Sequence, residues 1–157
     1  MKDLQLKIQI RECQMDELTS DEQFLVEKAI ESTNNSYAPY SNFHVGASIQ
    51  LENGEVLPGC NQENVAFPAG LCAERSAIFA AGAQYPEVPI TMLAIAARNT
   101  KGELTEEPVS PCGTCRQVLI ETETRHGQSI RILLYGKRCI YVMEGIRNLM
   151  PLSFTEF

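Results

Sequence analysis

The sequence predicts an α/β fold: one domain built on a single sheet covered by helices on its faces. Strand-like runs alternate with helix-like runs through most of the chain, the pattern of a sheet whose strands are joined by helices. The 157 residues suit one domain with one core, and there is no internal repeat or low-complexity tract.

Each element has its own local signal. Residues 4–10, LQLKIQI, alternate apolar and polar side chains as a half-buried strand does. Ser20, with Gln23 three residues on, has the form of a capping box and predicts a helix to about Asn34. Tyr37 to Asn42 is a turn-rich loop. From Phe43 to Leu51 the odd positions are apolar or small, which reads as a strand. Asn53-Gly54 is a strong hairpin turn, and Glu55 to Cys60 is the returning strand. After a loop over 61–71, the alanine-rich run from Cys72 to Ala83 predicts a helix. Ile90 to Ala97 is a continuous apolar run, expected of a buried strand. Ser110-Pro111 sets a good N-cap before a proline, so a helix should run from about Cys112 to Arg125. Strands are expected at 130–135 and 139–143, with a helical turn near 145–149. The short Gly136-Lys137 connection by itself favours a hairpin between those last two strands.

Bulk properties narrow the function. No stretch approaches the length that spans a bilayer, and Met1-Lys2-Asp3-Leu4 lacks the apolar region of a signal peptide. The expected location is therefore the cytoplasm, where thiols stay reduced. Six cysteines there point to metal or catalysis more than to disulfides. The formal net charge of −7 repels a phosphate backbone, and the basic clusters, Arg131 and Lys137-Arg138, are small. The expected partner is a small molecule, with no nucleic acid and no membrane.

Two segments carry the chemistry: Cys72-Ala73-Glu74-Arg75, and Pro111 to Arg116 with Cys112 and Cys115 at C-x-x-C spacing. Both open predicted helices, whose unpaired N–H groups favour thiolates. If the two helices start side by side, three thiolates converge. Zinc with three protein ligands keeps a fourth position open, which is the catalytic arrangement. Glu74 is then a non-ligand acid/base that takes a proton from the attacking water. Three thiolates leave such a site negative, and Arg75 is placed to draw charge off the sulfurs. The blander readings are a structural or redox C-x-x-C pair, and Arg75 as a surface residue. The third cysteine and the adjacent glutamate weigh against them. Cys60 and Cys139 read as packing, Cys13 is uninformative, His44 falls on the polar phase of its strand, and His126 sits near a helix end.

The residues CAER and PCGTCRQ, in that order, resemble the cytidine deaminase family. So do Pro39 to Ala47 (PYSNFHVGA), Gly59 to Asn64 (GCNQEN) and Met150 to Phe154 (MPLSF). The resemblance covers roughly residues 20–154. It sets an N-terminal extension, 1–18, apart from a deaminase-like domain, 19–157. It implies a three-layer sandwich: a five-stranded mixed sheet covered by helices on both faces, its last two strands parallel. It implies one Zn²⁺ per subunit on Cys72, Cys112 and Cys115, with Glu74 catalytic. Asn61 and Glu63 are implied to bind the ribose 3′ hydroxyl, Phe43 to pack on the pyrimidine, and the Ala73 backbone to contact the base. The resemblance further implies a homotetramer in which Phe67 and Phe154 approach the ligand, partly across subunits. The implied reaction is deamination of cytidine and 2′-deoxycytidine to the uridines and ammonia, in pyrimidine salvage. Two positions depart from the family pattern: His44 replaces a usual proline, and Phe67 stands where a hydroxylated aromatic is common.

Two other enzyme readings compete. A deaminase of cytosine-bearing antibiotics shares the cysteine and glutamate motifs, but the N-x-E segment at Asn61 and Glu63 favours a nucleoside. A polynucleotide-editing deaminase needs basic and aromatic stripes that are absent here. A zinc-stabilised structural domain is the non-enzyme alternative.

Overall fold

A computed structural model describes residues 1–155. Its elements in chain order are β1 (Arg11–Cys13), α1 (Ser20–Ser32), β2 (His44–Leu51), β3 (Val56–Cys60), α2 (Ala73–Gln84), β4 (Ile90–Arg98), α3 (Gly113–His126), β5 (Arg131–Tyr135) and β6 (Ile140–Glu144). They form a single-domain α/β fold with three helices and one mixed sheet, ordered β1-β6-β5-β4-β2-β3.

The sheet has six strands, not five, because the N-terminal segment supplies one. That strand is not 4–10, whose residues lie exposed outside the sheet, but Arg11–Cys13, antiparallel to β6. The register explains the short ladder. Arg11 faces Val142, and β6 ends at Glu144, where Gly145 (φ 83°) turns the chain into a 3-10 turn at Ile146–Asn148. The backbone that would pair with residues before Gln9 has turned away. Asn148 Oδ1 accepts the Gln9 N–H instead, at 2.9 Å.

β5 and β6 pair antiparallel, so the parallel arrangement implied by the family resemblance is wrong here and the hairpin reading is right. The connection is too short for a parallel crossover, which needs a dozen or more residues. It closes through the Gly136 N–H to the Cys139 carbonyl at 3.0 Å. The cap of α1 also differs from expectation. Thr19, not Ser20, is the N-cap, in a reciprocal capping box with Glu22 rather than Gln23. Glu22 does more than cap: although buried, its carboxylate pairs with Arg131 on β5, which also reaches Glu144 on β6.

Strand alternation sorts the apolar side chains into two clusters. Ala47, Ile49, Leu93, Ile95, Ile132 and Leu134 pack with Ala77, Ile78 and Ala81 of α2 and Leu119 and Ile120 of α3. Ala94, Ala96, Leu133 and Val142 pack with Leu25, Val26 and Ala29 of α1. The cover is therefore unequal, with two helices against one set and one against the other.

The topology decides where α2 and α3 begin. β2 is antiparallel to both β3 and β4, so β3 and β4 run in the same direction. The helix after each strand starts at the same end of the sheet, and the two N-termini meet there. Gly59 on β3 sets how closely α2 approaches. A Cβ at Gly59 would lie 2.4 Å from the Ala73 carbonyl oxygen and 2.6 Å from the Ala77 nitrogen. The first turn of α2 rests directly on this glycine.

Two outcomes follow from this packing. Gly59→Ala must push the first turn of α2 off the sheet. Overpacking of this kind costs about 1–3 kcal/mol, so Tm should fall by roughly 2–12 °C. Metal retention measured by atomic absorption should fall with it; an unchanged Tm and metal content would refute the close-approach account. The second outcome concerns Glu22. Burial pushes its carboxyl up, but the Thr19 amide and the Arg131 guanidinium outweigh that and hold it below its ordinary value. A carboxyl depressed in the folded state stabilises above its unfolded pKa of ~4.3 and loses this as pH falls through the folded value. Denaturant titrations from pH 6 down to about 3 should therefore show a steeper acid loss in the wild type than in Glu22→Gln, which keeps the cap but not the charge.

Candidate active site

Cys72 is the N-cap of α2 and Cys112 the N-cap of α3, both with extended backbone. Neither side chain caps its own helix, so both sulfurs are free to face a shared point beside unpaired first-turn amides. Cys115 lies in the first turn of α3 and is buried. Its spacing from Cys112 puts both thiols on one side of that turn. Helix α2 itself begins at Ala73, one residue after the predicted start.

The three sulfurs all lie within 4.8 Å of one another. Cys72 and Cys112 are 3.9 Å apart, and Cys112 and Cys115 are 3.6 Å apart. Tetrahedral zinc with Zn–S bonds of ~2.3 Å requires sulfurs roughly 3.8 Å apart. The donor set and spacing therefore fit zinc with three protein ligands. Cys112 is exposed, so the cluster opens on one side. Among the described residues this is the cluster of potential ligands that gathers three donors. Cys13, Cys60 and Cys139 stand apart from it.

The electrostatics of the trio are uneven. Hydrogen bonding from Cys115 outweighs burial at Cys72 and, with Arg75, draws its thiol down to about 5. The neighbouring Cys72 thiolate and burial push the Cys115 thiol up. Cys72 and Cys115 are thus driven in opposite directions, and a cation bound in the cluster would favour the thiolate at both. Arg75 Nη2 donates to Cys72 Sγ at 3.5 Å, and its buried Nε has no partner. Glu74, only 4% exposed, occupies the same turn of α2. Burial, and then the Cys72 thiolate, raise its carboxyl above the ordinary range.

A pocket of about 500 Å³ adjoins the cysteines, and Asn61, Glu63, Phe67, Cys72 and Arg75 all line it. Ala73 is buried behind it in the core. Phe43 and Phe154 do not line it. Phe43 is half-buried just before β2, and the exposed Phe154 belongs to the C-terminal segment, whose carbonyl accepts from Gln117 Nε2 on α3 at 2.8 Å. Tyr40 and Ser41 also line the pocket and were not singled out from sequence. Their signal was present in the turn-rich PYSN segment. Tyr40 stacks edge-on against Phe67 at 5.8 Å, and both rings are largely exposed.

Asn61 and Glu63 are held differently. Asn61 Oδ1 accepts from the Val45 N–H at 2.8 Å and from Ser36 Oγ at 2.6 Å, and its Nδ2 donates to the Phe43 carbonyl at 2.9 Å. It ties the loop after β3 to the start of β2. His44 is half-buried rather than solvated, with Nδ1 3.1 Å from Ser36 Oγ, and so joins the same chain of contacts. Glu63 accepts from the Ser41 hydroxyl and from the Tyr40 and Ser41 amides, which hold its carboxyl below the ordinary range. It stays an anion at the pocket wall.

A second hollow, of about 390 Å³, lies between the far halves of α2 and α3 and carries none of the predicted site residues.

The family profile described as the cytidine and deoxycytidylate deaminase zinc-binding region matches residues 19–128. A cytidine deaminase from Halalkalibacterium halodurans is 42% identical over 101 residues, covering 64% of this chain and 71% of that protein. One from Mycobacterium tuberculosis is 38% identical over 101 residues, covering 64% and 68%. Among solved structures, a cytidine deaminase from Burkholderia pseudomallei superposes with a TM-score of 0.73 at 34% identity. It matches 87% of this chain and 100% of that one. The matched region contains the whole cysteine cluster, Glu74 and the adjoining pocket. The chain is thus a hydrolase of the cytidine deaminase class and belongs to the family defined by that zinc-binding region.

Proposed function

We propose that this chain hydrolyses the amino group of cytidine and 2′-deoxycytidine, releasing ammonia and the corresponding uridine. The observation that carries this reading is a three-sulfur cluster and a buried carboxyl at the heads of two helices, opening beside a pocket that shares Cys72 and Arg75.

Cys72, Cys112 and Cys115 would hold one Zn²⁺ per subunit. The bound ion supplies a Lewis acid that lets water attack at neutral pH. Glu74 takes a proton from that water and passes it to the ring nitrogen, then takes the hydroxyl proton of the tetrahedral adduct and passes it to the leaving amine. A carboxyl raised by burial suits a group that must both accept and donate. Arg75 offsets the charge of the thiolates and so keeps the site acidic enough to activate water. Glu63 accepts from the sugar hydroxyls, and Asn61 fixes the loop that presents it. Phe43 and Phe67 flank the base, with the Ala73 backbone at its edge. Phe154 reaches a ligand across a subunit boundary in a homotetramer. The exposure of Phe67 and Phe154, at 75% and 65%, supports a role that a single subunit does not complete. Salvage of pyrimidines in the cytoplasm is the setting this chemistry fits. Among the described residues no helix is long and apolar enough to cross a membrane. The formal charge of −7 supports a free nucleoside over a polynucleotide.

The test is loss of cytidine absorbance in the ultraviolet, before and after chelation and zinc restoration. Chelation should abolish turnover and zinc should restore it. Glu74→Gln should retain zinc and lose kcat by about 10²-fold or more. No turnover of cytidine or deoxycytidine by the metallated wild type would overturn the assignment. Arg75→Gln should lower zinc affinity or kcat by roughly 10–100-fold. Unchanged kinetics and metal content in that variant would show that the arginine is only a surface residue.

A further inference from the structure

Residues 4–10 take no part in the chemistry above and lie outside the family match, which begins at residue 19. Leu4, Leu6, Ile8 and Ile10 are 76%, 49%, 51% and 43% exposed. They alternate with Gln5, Lys7 and Gln9, so in an extended chain all four fall on one face. The segment leads directly into β1, which ends the sheet order and so has a free outer edge among the described residues. An alternating apolar segment continuing an open edge is a template for another strand.

We propose that residues 2–12 pair antiparallel with the same residues of a second copy of this chain, joining two sheets edge to edge about a two-fold axis at Lys7. The sequence is self-complementary in this register and no other. Leu4 falls opposite Ile10 and Leu6 opposite Ile8, so every apolar residue meets an apolar one. At the ends, Asp3 meets Arg11 and Lys2 meets Glu12, opposite charges at each pair. Gln5 meets Gln9, and only the central Lys7 meets a like charge, its exposed ammonium free to swing into water on a flexible stem.

The backbone agrees. The Gln9 N–H points to Asn148, on the β6 side of its own subunit. Alternation along a strand then turns the amides of Leu4, Leu6, Ile8 and Ile10 outward. Those residues form the hydrogen-bonded pairs across the axis, and Lys7 faces its copy in a non-hydrogen-bonded pair with Cα atoms ~4.5 Å apart.

That distance lies within disulfide range, which gives a direct test on the full-length, zinc-loaded chain. Oxidation of Lys7→Cys by diamide should yield a covalent dimer on a non-reducing denaturing gel. Gln5→Cys alone should stay monomeric, because it faces Gln9, whereas Gln5→Cys mixed with Gln9→Cys should cross-link. The wild type controls for the six native cysteines. Adding Leu6→Asp and Ile8→Asp to Lys7→Cys should abolish the dimer, while turnover of cytidine stays unchanged and reports an intact fold. A monomer from Lys7→Cys, or equal cross-linking from Lys7→Cys and Gln5→Cys, would overturn the proposal. The first result would mean that the arm folds on its own subunit or pairs with a different protein, and the second that the arms only collide.

Discussion

Three sulfur atoms are held closer together here than three free thiolates tolerate. Two charges about 4 Å apart repel by ~4 kcal/mol at an effective dielectric of 20. The separations of 3.6 and 3.9 Å therefore demand either protons or a cation. Hydrogen bonding and Arg75 pull the Cys72 thiol toward the thiolate, while that neighbour and burial push the Cys115 thiol up. Everything else in the fold serves to impose this crowding. β3 and β4 run in the same direction because β2 is antiparallel to both, so the helices that follow them begin together. Gly59 lets α2 sit down on β3, and the Cys72 N-cap is fixed in turn. The family's zinc-binding region is, in this sense, a property of strand order as much as of cysteine spacing.

Much of this was legible in the sequence because the signals are local. The C-x-x-C pair and Ser110-Pro111 lie at a helix start, and α3 begins within one residue of expectation. The neighbouring Glu74 and Arg75 need only a helix to reach the cluster. The hairpin at Gly136-Lys137 was legible for the same reason, and the resemblance misled where chain length would not have. What failed were features decided by distant partners. LQLKIQI has strand periodicity, but a strand needs a ladder, and β6 ends where Gly145 turns it away. Thr19 displaced Ser20 as the cap because Glu22, not Gln23, can also reach Arg131 across 109 residues of chain. No window around residue 20 contains that arginine.

The pocket wall divides along similar lines. Asn61 and Glu63 were singled out as a pair, yet the structure gives them different tasks. Asn61 uses its oxygen twice and its nitrogen once on Ser36, Val45 and Phe43, so it is a structural tie between the loop and β2. Glu63 is aimed by Tyr40 and Ser41, two residues from a loop more than twenty positions earlier. A carboxylate that already accepts three hydrogen bonds retains lone pairs for a further donor and stays ionised while doing so. Asn42, in the left-handed region at φ 54°, lets that loop turn back toward β2, a conformation asparagine tolerates better than most residues.

The two departures from the family pattern fall on opposite sides of this wall. His44 reaches Ser36, and Ser36 reaches Asn61, so the histidine acts on the rigid tie and not on the open cavity. A proline there would have no imidazole nitrogen to hold Ser36, whose hydroxyl would then bind Asn61 alone. Phe67 lines the open pocket, largely exposed, with its ring edge-on to Tyr40. A phenylalanine at that position offers the pocket a flat apolar surface with no hydroxyl. Tyr40 carries a hydroxyl on the ring beside it. The wall thus keeps an aromatic pair whose one phenolic oxygen is carried by Tyr40 in the loop before β2. The pocket wall in this chain therefore depends on the loop before β2 twice over, through the amides that aim Glu63 and through the ring that backs Phe67.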